Sequence, residues 1–138
     1  MTQIEWDDSL SVGIKLIDEQ HKMLIQRIKD LSDAVEQARG LEKILQTLDF
    51  MIDYTEFHFS TEEKHMKKLG YPAFDVHKKQ HDEFNSTLDC LVEDFEEEGA
   101  TDALSISINT FLINWLVKHI KSMDKKFGEF LQKKEFEI

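Results

Sequence analysis

The chain has one cysteine, Cys90, so it can form neither an intrachain disulfide nor a thiolate metal cluster. It has one proline, Pro72, and five glycines in 138 residues. That scarcity argues against a many-turned β fold and for long uninterrupted helices. No apolar run approaches the ~20 residues of a membrane span. The opening MTQIEWDDSL lacks the charged-then-apolar pattern of a secretory signal, so the cytoplasm is the expected compartment. Basic clusters are missing as well. With a net charge of −11, the chain is a poor ligand for nucleic acid or an anionic membrane surface.

What is present is a helical pattern. Gly40, Gly70-Tyr71-Pro72 and Glu98-Gly99-Ala100 divide a single domain into an N-terminal arm, 1–17, and four segments, 18–39, 41–69, 74–98 and 102–133. Trp6 and Ile14 are available to pin the arm. Each segment carries an apolar stripe in steps of three and four. The stripes run through His21, Leu24, Ile28, Leu31 and Val35; Ile44, Leu48, Met51, Thr55, His58, Glu62 and Leu69; His77, His81, Phe84, Leu88, Leu91 and Phe95; and Leu104, Ile108, Leu112, Trp115 and His119. Short connections then predict an all-α, antiparallel up-down-up-down four-helix bundle with a short C-terminal helical extension.

Polar residues interrupt every stripe where the core should be. His58 and Glu62 are four residues apart, as are His77 and His81, so each pair shares a helix face. A single buried histidine is ordinarily an inert, hydrogen-bonded one. Five histidines and a glutamate on four converging stripes are harder to satisfy by hydrogen bonding alone, and a half-satisfied buried network is destabilising. After His119 the stripe slips: Phe127 and Leu131 continue a register that starts from Asp124, five residues on. A straight α-helix would set His119 and Asp124 about 140° apart. One extra residue in a π turn would bring Asp124 inward.

Five imidazoles and two carboxylates suit iron or manganese, and exceed the needs of one zinc. For two six-coordinate metals, these ligands with two carboxylate bridges and one bridging oxide or hydroxide leave one coordination position open.

The combination of DEQH ending at His21, HFSTEE from His58, HKKQH from His77 to His81 and WLVKHIKSMD from Trp115 to Asp124 resembles the hemerythrin family in its bacterial and archaeal single-domain form. The resemblance spans nearly the whole chain. It implies two iron ions (Fe2+/Fe3+) with a bridging oxide or hydroxide, and reversible O2 binding. It places His77, His81 and His119 on the saturated iron, His21 and His58 on the iron with the open position, and Glu62 and Asp124 across both. It also implies an O2 pocket lined by Leu24, Phe59, Trp115, Leu116 and Ile120. Storage, delivery to oxygen-using enzymes, and sensing are the expected roles. The alternatives are a di-iron enzyme with ferroxidase, peroxidase or nitric oxide reductase activity, and a metal-free helical interaction module. The histidine-rich set favours binding over O–O cleavage, since di-iron oxidases are richer in carboxylates. His65, three residues past Glu62, is a surface residue or a hydrogen-bonding neighbour of a ligand.

Overall fold

The computed structural model describes residues 5–37, 40–99, 101–136 and 138. Four long helices run in chain order: α1, Lys15–Glu36; α2, Leu41–Leu69; α3, Phe74–Glu98; and α4, Asp102–His119. A π turn, Ile120–Asp124, joins α4 without a break to α5, Lys125–Lys133. No strand occurs among the described residues, and none of their helices is long and apolar enough to cross a membrane. Each helix packs on the next, and α4 returns to α1, closing an antiparallel four-helix bundle.

The stripes face inward because steps of three and four keep one helix face against its neighbours. Leu48, Met51, Phe95, Leu112, Phe127 and Leu131 have no measurable exposure. Val35, Leu69, Leu91 and Trp115 are only partly buried and close the edges of this core. The side chains of Leu104 and Ile108, expected on the fourth stripe, lie outside the described residues. Gly70 ends α2 in the left-handed conformation, φ 67°, and the Tyr71 N–H donates back to the Met66 carbonyl at 3.0 Å. This closure suits glycine, which has no Cβ to clash there.

The arm is held by more than Trp6 and Ile14. Helix α1 begins at Lys15, ahead of the expected start, and its Asp18 carboxylate reaches back over the arm. It accepts from Val12 N–H at 2.9 Å and from the Ser11 hydroxyl at 2.6 Å. Leu10 and Val12 are the buried anchors, while Trp6 and Ile14 pack at the core's edge. Val12 lies against Gly128 of α5, and Gln132 donates to the Gly13 carbonyl at 3.1 Å. The arm therefore ties the start of α1 to the end of the chain.

Candidate metal centre

The four inner stripes meet at one depth. His21 comes from α1, His58 and Glu62 from α2, His77 and His81 from α3, and His119 from α4. Asp124 enters from the π turn. That turn contains the extra residue that the slipped stripe implied. It places both Asp124 and the following Phe127 and Leu131 inside. All seven polar residues are at most 2% exposed.

Ligand-type atoms gather into two groups, each with its atoms within 4.8 Å of one another. One group is Glu62, His77, His81, His119 and Asp124; the other is His21, His58, Glu62 and Asp124. Glu62 and Asp124 belong to both. Glu62 Oε1 lies 3.5 Å from His58 Nε2, 3.6 Å from His77 Nε2 and 3.4 Å from His81 Nε2. Asp124 spans the centre, with Oδ2 2.9 Å from His21 Nε2 and Oδ1 2.9 Å from His77 Nε2.

These residues fit a pair of cations. Both oxygens of Glu62 and of Asp124, and Nε2 of His21, His58 and His77, are buried without a hydrogen-bond partner. Several of these atoms stand 2.9–3.6 Å from one another without hydrogen-bond geometry. Orphaned buried polar atoms are costly, and a shared cation removes that cost at every one. His81 Nε2 and His119 Nε2 are 3.1 Å apart. Two adjacent octahedral ligands at ~2.1 Å from a metal stand about 3 Å from each other.

The outward nitrogens are held by residues that the stripes did not single out. His58 Nδ1–H donates to Gln20 Oε1 at 2.7 Å, His81 Nδ1–H to Glu63 Oε2 at 2.9 Å, and His119 Nδ1–H to Gln80 Oε1 at 3.0 Å. Each contact leaves Nε2 as the free lone pair facing inward. The signal for these three was adjacency, because each is the chain neighbour of an inward residue: His21, Glu62 and His81. His65 does not join the cluster. It is partly exposed, and burial with Lys68 and Lys64 holds its pKa below the ordinary value. Cys90 is exposed on α3.

Leu24, Phe59, Leu116 and Ile120 are buried, none more than 3% exposed. Phe59 stacks on His81 with centroids 3.8 Å apart and planes within 6°. Trp115 stacks on His119 at 4.4 Å and 13°. Both aromatic rings thus press on imidazoles of the three-histidine group, and Phe84 packs against both.

The electrostatics prepare the donors unequally. Burial, against partial compensation by Glu62, pushes the His58 pKa down to about 4, so this imidazole is neutral at pH 7. Burial also opposes charge on His77, but the close carboxylates of Asp124 and Glu62 outweigh it and raise its pKa to about 9. Burial and mutual repulsion disfavour the two carboxylate charges. The surrounding histidines prevail, holding both carboxyls below their usual range. The proton on His77 stabilises chelator-stripped protein below the ordinary histidine pKa of 6.5, and that stabilisation is lost as pH rises through about 9. Metal uptake at pH 7 must expel this proton. Calorimetric titration of the stripped protein in buffers of different ionisation enthalpy should show net proton release. Apparent affinity should rise about tenfold per pH unit for one displaced proton. Uptake without proton release would contradict the assignment of His77.

The sequence profile of the hemerythrin HHE cation binding domain matches residues 12–131. A myohemerythrin from Theromyzon tessulatum is 36% identical over 123 residues, covering 89% of each chain. A bacteriohemerythrin from Stenotrophomonas maltophilia is 30% identical over 129 residues, covering 94% of this chain and 82% of the relative. A crystal structure of wild-type hemerythrin superposes with a TM-score of 0.83 at 29% identity, covering 93% of this chain and 97% of the other. By its sequence and by its bundle, this chain belongs to the hemerythrin family.

Proposed function

We propose that the protein binds O2 reversibly at a non-haem di-iron centre, as a binding protein and not an enzyme, for storage, delivery or sensing in the cytoplasm. The observation that carries this reading is the pair of ligand groups sharing Glu62 and Asp124. In this reading His77, His81 and His119 would hold one iron, His21 and His58 the other, and Glu62 and Asp124 would serve both. With two histidines against three, the second iron would be the one with room for O2. A ferrous pair, when bound, supplies the electrons and the open position that O2 requires. The protein's part is to fix the donors and keep water out. Gln20, Glu63 and Gln80 orient three imidazoles, and Phe59 and Trp115 clamp two of them from the side. Leu24, Leu116 and Ile120, all buried, would add an apolar wall that excludes water. The histidine-rich donor set favours binding of O2 over O–O cleavage, since di-iron oxidases are richer in carboxylates.

The test is an optical one. The protein is reconstituted with ferrous iron under anaerobic conditions, exposed to O2, then purged. A visible charge-transfer band that grows and then disappears supports reversible binding. Direct conversion to a stable ferric spectrum would end the carrier reading. It would turn attention to ferroxidase, peroxidase or nitric oxide reductase activity at the same residues. Failure to retain iron would favour a metal-free helical module.

A further inference from the structure

We propose that Glu63 is a positioning residue that makes the three-histidine half of the centre the more readily ferric of the two. The inference rests on the di-iron reading above and concerns how the two irons differ. The outward contacts of the histidines are not equivalent. His58 and His119 meet the neutral amide oxygens of Gln20 and Gln80, whereas His81 meets a carboxylate, Glu63 Oε2 at 2.9 Å. The outward nitrogens of His21 and His77 are buried without a hydrogen-bond partner. Of the three outward hydrogen bonds, only the one to Glu63 brings a negative charge, and it acts through one imidazole on one side of the centre.

An N–H held by a carboxylate forms a stronger hydrogen bond than one held by an amide, and the proton is drawn further from the ring. The ring's other nitrogen becomes the better donor. For His81 that nitrogen is Nε2, which faces Glu62 and His119 inside the cluster. Stronger donation favours the higher charge on the ion it reaches. Phe59, stacked flat on His81, keeps the ring in the plane that joins Glu63 to the centre. The charge on Glu63 is only partly offset. Lys78 Nζ stands 3.9 Å from Glu63 Oε1 but 3.0 Å from Asp82, and it is 40% exposed. Glu63 itself is 21% exposed, sheltered enough for its charge to be felt inward.

The experiment compares the iron-loaded wild type with Glu63→Gln and Gln80→Glu. Iron per chain is assayed first, then the ferric and ferrous forms are followed optically in a mediated redox titration. Glu63→Gln should keep both irons. At a fixed potential its first-oxidised iron should show an about tenfold lower ferric-to-ferrous ratio, an upward shift of ~59 mV for one electron. Gln80→Glu, which puts a carboxylate on His119 in the same half, should shift the midpoint downward. Midpoints for both variants that coincide with the wild type would overturn the proposal, leaving Glu63 a purely structural contact. Should Glu63→Gln lose iron, Gln80→Glu decides alone, and an unchanged or raised midpoint overturns the proposal. A wild type that retains no iron pair is a separate result, seen in the iron assay. It would sink the di-iron reading and this inference with it.

Discussion

Glu62→Ala should abolish retention of the iron pair while leaving the helices intact. Alanine is the best helix former, so α2 loses nothing locally. The loss falls on the centre, where Glu62 Oε1 lies within 3.6 Å of Nε2 atoms of His58, His77 and His81. Removing it takes a donor from each ligand group at once and a buried negative charge from among the histidines. Loss of a mere supporting contact around a metal costs about 10–100-fold in affinity, and loss of a bridging ligand should exceed the upper figure. Iron assay after gel filtration should fall from two per chain to one or none, with unchanged far-ultraviolet dichroism. Glu63→Gln is the internal comparison, since the next residue along contacts only one outward nitrogen and should keep both irons. If Glu62→Ala retained two irons, the bridging assignment would be wrong.

Gly128→Ala should destabilise the fold, against the usual effect of that change in a helix. Replacing an unconstrained helical glycine by alanine gains ~1 kcal/mol. Gly128 is constrained, because a methyl there would overlap the Val12 carbonyl oxygen and crowd the Val12 side chain. The arm cannot step back freely, since Asp18 grips Ser11 and Val12 while Gln132 holds Gly13. Overpacking of this kind costs roughly 1–3 kcal/mol, against which helix propensity returns ~1 kcal/mol. The melting temperature of the iron-loaded protein should drop by about 5 °C, on the scaling for a domain near this size. An unchanged or higher melting temperature would mean that the arm is not seated on α5 in solution.

The convergence of the cluster was legible in the sequence for a simple reason. A four-residue step on a helix keeps two side chains on one face, so His58 with Glu62 and His77 with His81 could be placed without tertiary information. Asp124 was legible through a conflict: His119 and Leu131 could both face inward only if the helix absorbed one residue, and the π turn does so. The arm was not legible in this way. It has no long helical period, and the seat of Val12 and Gly13 is offered by Gly128 and Gln132 of α5, more than 110 residues away, which no local pattern encodes. Gln20, Glu63 and Gln80 were missed because a polar residue beside an inward one reads as the start of the solvated flank. Their partners lie on other helices, 38, 18 and 39 residues away, beyond any local signal.

Those three contacts also bear on the handedness of the bundle. Gln20 on α1 holds His58 on α2, Glu63 on α2 holds His81 on α3, and Gln80 on α3 holds His119 on α4. The holding residue precedes its inward neighbour on α1, follows it on α2 and precedes it again on α3. Because alternate helices run in opposite directions, these alternating offsets turn the same way around every axis. Each points to the helix that comes next in the chain. Four antiparallel helices joined by short loops can circulate in either sense, and apolar stripes alone barely distinguish the two. In the opposite sense, the flank of α1 that carries Gln20 would face α4, and the later pairs would be lost in the same way. A set of side chains that orients imidazoles thereby also encodes which mirror arrangement of the helices the chain adopts.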